Sequence, residues 1–168
     1  MIQKKFEREK LLGQQFATQG KFKFVIILDH LKNSFNIGKI FRSAEVFSAS
    51  EVHIIGIPFF DPYPAKGSLK KVKAYFYDDF DGCYNELCKQ GYSFFVMNPT
   101  ENSIPLSKVD LPLRSAFVFG HEEFGHSFKK NDYETSEIKI EQFGETESLN
   151  VSVAASITMY EYVRRFNL

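Results

Sequence analysis

Apolar residues in this chain come in short unbroken runs separated by amphipathic stretches. "FKFVIILDH" (22–30) has the continuous hydrophobicity of a strand covered on both faces, and "EVHIIGI" (51–57), "YSFFVMN" (92–98) and "SAFVFG" (115–120) repeat the pattern. "VKAYFY" (72–77) and "YETSEIKI" (133–140) read as shorter strands. Between the strands the period lengthens. From Asn36, read as the cap that opens a helix, Ile37, Ile40, Phe41, Ala44 and Phe47 share one stripe while Arg42 lies opposite. "FDGCYNELCKQ" (80–90) reads as another helix, and "FFDPYPAKGS" (59–68), with its prolines and glycine, as loop. Strands that alternate with helices and are apolar throughout predict an α/β fold with a mostly parallel sheet flanked by helices. No repeat or linker divides the sequence, so residues 1–168 are expected to form one domain with a short helical extension over residues 1–20.

The end of the chain carries more apolar surface than a fraying terminus needs. In "ESLNVSVAASITMYEYVRR" (147–165), a helix capped by Asn150 sets Val151, Ala154, Ala155, Thr158 and Tyr162 on one face and Val153, Ile157 and Tyr160 on another. Such a helix wants company on two sides, and Ala154, Ala155 and Ser156 are small enough to let a second backbone come close.

Composition narrows the class without naming a function. A chain of 168 residues, 43% hydrophobic and 25% charged, suits one ordinary globular domain. No apolar run approaches the roughly 20 residues that span a bilayer, and "MIQKKFEREK" lacks the apolar core of a signal peptide, so a cytoplasmic protein with no membrane association is expected. Cys83 and Cys88, five apart on the expected helix, suit neither a disulfide framework nor a zinc site and read as free thiols. Twenty-one basic residues balance 21 acidic ones, so nucleic-acid binding is not advertised globally. Locally, "KKFEREK" (4–10) and "KGSLKKVK" (66–73) concentrate cations that suit phosphate contacts if the fold brings them to one face.

In a parallel sheet, ligands collect at the carboxyl ends of the strands. The sequence places polar or glycine-bearing loops there at 29–38, 98–102, 120–127 and 141–150. Neither G-x-G-x-x-G nor G-x-x-x-x-G-K-[ST] occurs, which disfavours dinucleotide folds and removes the P-loop NTPases. "GHEEFGH" suggests the zinc-protease pattern H-E-x-x-H but fails it, because His121 and His126 are five apart and Gly125 weakens any helix between them. No metal is therefore expected. Gly120, Glu122 and Gly125 make better sense as a tight loop whose glycines let backbone approach a ligand closely. Arg42 has Glu45 within helical reach. Together, Asn36, Arg42, Glu122 and Asn150 are polar residues at strand ends and helix starts that are expected to converge on one crevice.

Three segments of the chain resemble the SpoU/TrmH branch of the SPOUT RNA methyltransferases. "NIGKIFRSA" matches its first motif through Asn36, Gly38, Arg42 and Ala44. "FVFGHEEFGHS" matches the second, G-x-E-x-x-G after an apolar strand, and "IEQFGETESLNVSVAASITMYE" matches the third. The resemblance implies a C-terminal trefoil knot, S-adenosylmethionine bound by the knotted loops, and a homodimer packed through the terminal helix, with two subunits completing each active site. By position, Met97, Asn98, Gly120, Ile140, Ser148 and Leu149 are expected around the cofactor, chiefly through backbone groups, and Asn36, Arg42, Glu122 and Asn150 around the ribose and phosphate of a target nucleotide. The implied reaction is methyl transfer to a ribose 2'-hydroxyl of RNA, with tRNA favoured over rRNA. Arg42 is the family's proposed deprotonating residue; because arginine resists deprotonation, it serves equally as a phosphate clamp. This chain departs from the pattern at Glu141, where the family has proline, and at His121 and Glu123. It shows no separate RNA-binding domain, so RNA is expected on the dimer surface, the N-terminal helix and the 66–73 loop. The alternative is a non-catalytic RNA-binding module on the same fold.

Overall fold

The computed structural model describes residues 1–167. Seven strands, β1 (Val25–Asp29), β2 (Glu51–Ile55), β3 (Ala74–Tyr77), β4 (Ser93–Met97), β5 (Ile104–Pro105), β6 (Ser115–Phe119) and β7 (Thr135–Lys139), form one sheet in the order β3-β2-β1-β6-β4-β7-β5. All pairings are parallel. The expected strands are present, each trimmed at its ends, and the two-residue β5 is an addition that no apolar run announced.

Alternation along the strands divides the core in two. Phe24, just before β1, and Ile26 and Leu28 on it join the larger cluster, which also takes Phe6 of α1 (Ile2–Phe16), Ile37, Ile40, Phe41 and Ala44 of α2 (Ser34–Val46), and Ala155, Met159 and Tyr162 of α4 (Val151–Phe166). Val25 and Ile27 face the other way, onto Phe80, Cys83 and Leu87 of α3 (Phe80–Lys89). Cys83 is buried and Cys88 exposed, both as free thiols.

One boundary differs from expectation. Helix α2 starts at Ser34, capped by Asn33, whose side chain accepts from the Phe35 amide at 2.9 Å; Asn36 therefore lies inside the first turn and is not the cap. The terminal helix does begin where expected, with Asn150 accepting from the Ser152 amide at 2.9 Å. Among the described residues only one of its two apolar faces is covered. Ala154, Ala155, Thr158 and Tyr162 are buried, whereas Val153, Ile157 and Tyr160 are exposed.

The two cationic runs meet on one side. Helix α1 packs so closely on the turn at Ser68–Lys70 that a Cβ at Gly13 would sit 2.7 Å from the Leu69 carbonyl oxygen. Lys5 and Lys66, from the two runs, bring their Nζ atoms to 5.2 and 3.9 Å from the centre of the Tyr63 ring. That loop lies against α2, where a Cβ at Gly38 would come within 2.7 Å of Pro64 Cβ. Among the described residues no helix is long and apolar enough to cross a membrane.

Candidate cofactor and catalytic site

A cavity of about 330 Å³ opens where β4, β6 and β7 end and α4 begins. Met97, Phe119, Gly120, Ile140, Ser148, Leu149, Asn150, Val151 and Ala154 line it, together with Pro99, Glu122 and Gln142. Five of the six positions assigned to the cofactor are thus in its wall.

Asn98 is the exception, for a reason of strand geometry. It follows Met97 at the end of β4, so its side chain falls on the opposite face, where its amide donates to Glu137 at 2.9 Å. Its backbone is committed too, since its N–H donates to the Ile138 carbonyl at 3.0 Å and its carbonyl accepts from Ser103 Oγ. Glu141 is likewise outside the wall. Its carboxylate accepts from Ser107 Oγ at 2.9 Å, so the charge that replaces the family's proline points away from the cavity.

The glycine loop after β6 closes on itself through paired backbone bonds between His121 and Gly125, 2.7 and 2.9 Å long. Gly125 takes φ +72°, which suits glycine, and Gly120 has no room for a side chain. A Cβ at Gly120 would lie 2.7 Å from the Gly125 carbonyl and 2.8 Å from His126 Nδ1. Behind this loop His126 Nε2 lies 3.3 Å from the Met97 carbonyl oxygen, and burial lowers the imidazole below its ordinary pKa, so it is neutral near pH 7. His126 therefore backs two residues of the cavity wall. His121 instead accepts from the Glu123 and Phe124 amides at 3.0 and 3.3 Å. Among the described residues no group of three or more His, Cys, Asp or Glu is arranged to hold a metal ion.

Three of the four polar residues form a connected chain. Asn150 Nδ2 donates to Asn36 Oδ1 at 3.1 Å, and Asn36 Nδ2 donates to Glu122 Oε1 at 2.9 Å. The other Glu122 oxygen accepts from the Lys32 amide at 3.2 Å. Burial pulls the Glu122 carboxyl upward, but the hydrogen bonds from Asn36 and from backbone amides outweigh it and hold the group below the usual carboxylate range. Glu122 is thus ionised near neutrality, at the wall of the cavity and not in its floor. Arg42 does not join this chain. It is exposed on α2, and among the described residues it makes no side-chain hydrogen bond or ion pair; Glu45, its expected helical partner, pairs with Lys71 at 3.4 Å. Sequence reasoning missed Phe119, Gln142, Val151, Ala154 and Pro99. Each lies one to four residues from a motif position, so the only available signal was proximity in sequence.

A parallel sheet with a cavity at its carboxyl edge, walled by a glycine loop and by the capped start of a terminal helix, defines a class. The chain belongs to the SpoU rRNA Methylase family, whose sequence profile matches residues 23–160. It is similar to the tRNA (guanosine(18)-2'-O)-methyltransferase of Thermus thermophilus, 27% identical over 144 residues that cover 83% of this chain and 74% of that protein. It is also similar to the 23S rRNA (guanosine-2'-O-)-methyltransferase RlmB of Xanthomonas campestris pv. campestris, 30% identical over 164 residues that cover 93% of this chain and 64% of that one. In fold it matches the A. aeolicus TrmH/SpoU tRNA modifying enzyme with a TM-score of 0.80 at 22% identity, over 99% of this chain and 84% of the other. The SpoU methyltransferase AviRb from Streptomyces viridochromogenes, in complex with AdoMet, matches with a TM-score of 0.76 at 20% identity, over 90% and 63%.

Proposed function

We propose that the chain is an S-adenosylmethionine-dependent RNA methyltransferase acting on a ribose 2'-hydroxyl, with tRNA the favoured acceptor, working in the cytoplasm as a homodimer. The observation that carries this reading is the shared wall. Glu122 and Asn150 of the polar chain line the same cavity as Met97, Gly120, Ile140, Ser148 and Leu149. A volume of about 330 Å³ falls in the range of small-molecule sites. Its residues fit the cofactor: Phe119, Ile140, Leu149 and Val151 offer apolar surface to an adenosine, while Ser148, Gln142 and the backbone around Gly120 offer hydrogen bonds to its polar ends.

When bound, S-adenosylmethionine supplies an already activated sulfonium methyl, so the protein's task is alignment and handling of one proton. The ionised Glu122, fixed by Asn36 and the Lys32 amide, retains lone pairs that can accept from a ribose hydroxyl. Asn150, whose oxygen caps α4 and whose amide holds Asn36, ties that carboxylate to the start of the helix. The uncommitted Arg42 guanidinium suits a phosphate clamp that also stabilises charge growing on the hydroxyl oxygen. It is reached across a dimer formed by the exposed Val153, Ile157 and Tyr160 face of α4. Lys5 and Lys66, gathered at Tyr63 beside α2, provide cations for the RNA backbone. The insertion of β6 between β1 and β4 and the return of α4 onto α2 are read as the crossings of the trefoil knot.

The non-catalytic alternative drew its support from Glu141, which turns away from the cavity. Unmodified tRNA and rRNA transcripts, incubated with the protein and methyl-labelled S-adenosylmethionine and then digested to nucleosides, test the proposal. A labelled 2'-O-methylnucleoside is expected, in the tRNA arm above all. No label in either RNA, together with RNA binding but no cofactor binding by calorimetry, would overturn it in favour of the binding module.

A further inference from the structure

Large apolar side chains normally leave solvent, yet several phenylalanines next in sequence to residues of the site do not. Of the 19 phenylalanines in the chain, Phe16, Phe35, Phe59, Phe124 and Phe143 are exposed among the described residues. Three of these five stand beside the site: Phe35 precedes Asn36, Phe124 follows Glu122 by two residues, and Phe143 follows Gln142. Phe124 is 81% exposed, but it is not loose. The paired His121–Gly125 bonds close its loop, its amide donates to His121 Nδ1, and its ring lies 4.7 Å from the His121 ring, tilted by 35°. The loop thus holds an aromatic ring out in water at a fixed place, two residues from a carboxylate anchored by Asn36.

We propose that Phe124 is the stacking platform for an unpaired nucleobase of the RNA acceptor, the base of the target nucleotide or its immediate neighbour. This deepens the methyltransferase reading and rests on it. A ribose whose 2'-hydroxyl reaches Glu122 carries its base to within a few ångströms of the same loop. A base pulled out of its own stack needs a new aromatic face, and a phenylalanine supplies that face without reading base edges. A cation for a flanking phosphate is tied to the same loop: Lys32, whose backbone amide donates to Glu122, is exposed and forms no ion pair among the described residues. The platform therefore selects an unstacked nucleotide in a loop or single strand over a paired one, whatever its base.

The chain contains no tryptophan, so Phe124→Trp places its one tryptophan at the platform, where red-edge excitation reads it apart from the tyrosines. Titration of that variant with unmodified tRNA and rRNA transcripts should quench its emission for the transcript that accepts methyl, and a double-stranded version of the same segment should not. Phe124→Ala should raise KM for that transcript roughly 5- to 150-fold, the span of base–aromatic stacking. The dissociation constant for S-adenosylmethionine and the melting temperature should stay as they were, and Phe124→Tyr should restore KM. Unchanged KM in Phe124→Ala with no quenching in Phe124→Trp would overturn the platform while leaving the methyltransferase standing. Conversion of Phe124→Ala to a monomer would also overturn it, by showing that a second subunit covers the ring. Failure of the unaltered chain to methylate any transcript would instead bring down the underlying reading.

Discussion

Replacing Asn36 with alanine tests the polar chain at its central link. Asn36 is only 5% exposed and uses both ends of its amide, donating to Glu122 at 2.9 Å and accepting from Asn150 at 3.1 Å. Truncation removes one hydrogen bond to a charged group and one between neutral groups, nominally about 2–4 kcal/mol together. Glu122 faces solvent and keeps the Lys32 amide, so water replaces part of the loss, and about 1–3 kcal/mol is expected. For a chain of this size that lowers the melting temperature by roughly 3–10 °C. The charged share can be isolated by a double-mutant cycle of Asn36→Ala and Glu122→Ala, followed by urea unfolding. The coupling energy should be near 1 kcal/mol at pH 7.

The cycle also has a signed pH dependence. The carboxyl of Glu122 is held lower in the folded chain than the roughly 4.3 expected when unfolded. Its contribution is therefore fully present above that value and disappears as pH falls through the lower, folded one. The coupling should shrink over that acidic interval, while the Asn36→Ala single variant should show a shallower loss of stability in acid than the unaltered chain. A coupling under about 0.3 kcal/mol at pH 7, within the scatter of independent sites, would refute the chain as an energetic unit. So would a coupling that ignores pH.

Three further outcomes follow from the same structure. Arg42→Ala should lower methyl transfer by roughly 100-fold or more while calorimetry finds S-adenosylmethionine affinity unchanged within about twofold, because Arg42 is not among the residues that line the cavity. Tyr162 is fully buried against Phe24, Phe117 and Phe166 and donates to the Leu113 carbonyl; Tyr162→Ala should cost about 3–5 kcal/mol in denaturant unfolding, and Tyr162→Phe only about 1 kcal/mol. Ile157→Asp, on the exposed face of α4, should leave the fold's circular dichroism intact and yield a monomer in sedimentation, with methyl transfer lost.

The period of apolar residues was enough to recover the sheet, because a strand buried on both faces leaves a continuous run that few other elements produce. β5 escaped because two residues at an edge leave no period at all. Between Asn33 and Asn36 the pattern could not choose the cap, since either amide can bond a nearby backbone N–H. Glu122, 86 positions away, takes Asn36 for itself and leaves the cap to Asn33. Asn98 was placed around the cofactor by motif position, chiefly through its backbone; strand alternation turns its side chain away from the cavity that Met97 lines, and its N–H and carbonyl bond Ile138 and Ser103. The motifs did locate Glu122 and Asn150, whose link through Asn36 spans 86 and 114 positions and leaves no trace in local pattern.

Arg42 bears most directly on how many chains make one site. It lies six residues beyond Asn36 on α2, so it projects about 120° around the axis and about 9 Å along it. Since Asn36 is pinned to Glu122 and Asn150, no rotation of the helix brings Arg42 into the same crevice without breaking both bonds. The stripe that does share Arg42's direction contains Phe35, Lys39 and Val46, all exposed. An arginine needed at the cavity of its own chain would lie on the opposite stripe. In the proposed homodimer its position suits the other copy's cavity, and the exposed face of α4 is the surface that would bring the two copies together. If so, mixing Arg42→Ala subunits with Glu122→Ala subunits should restore methyl transfer in the heterodimers, to about half the activity per dimer of the unaltered protein. Two inactive homodimers that stay inactive after subunit exchange would place both groups in one chain's site, against the helix geometry.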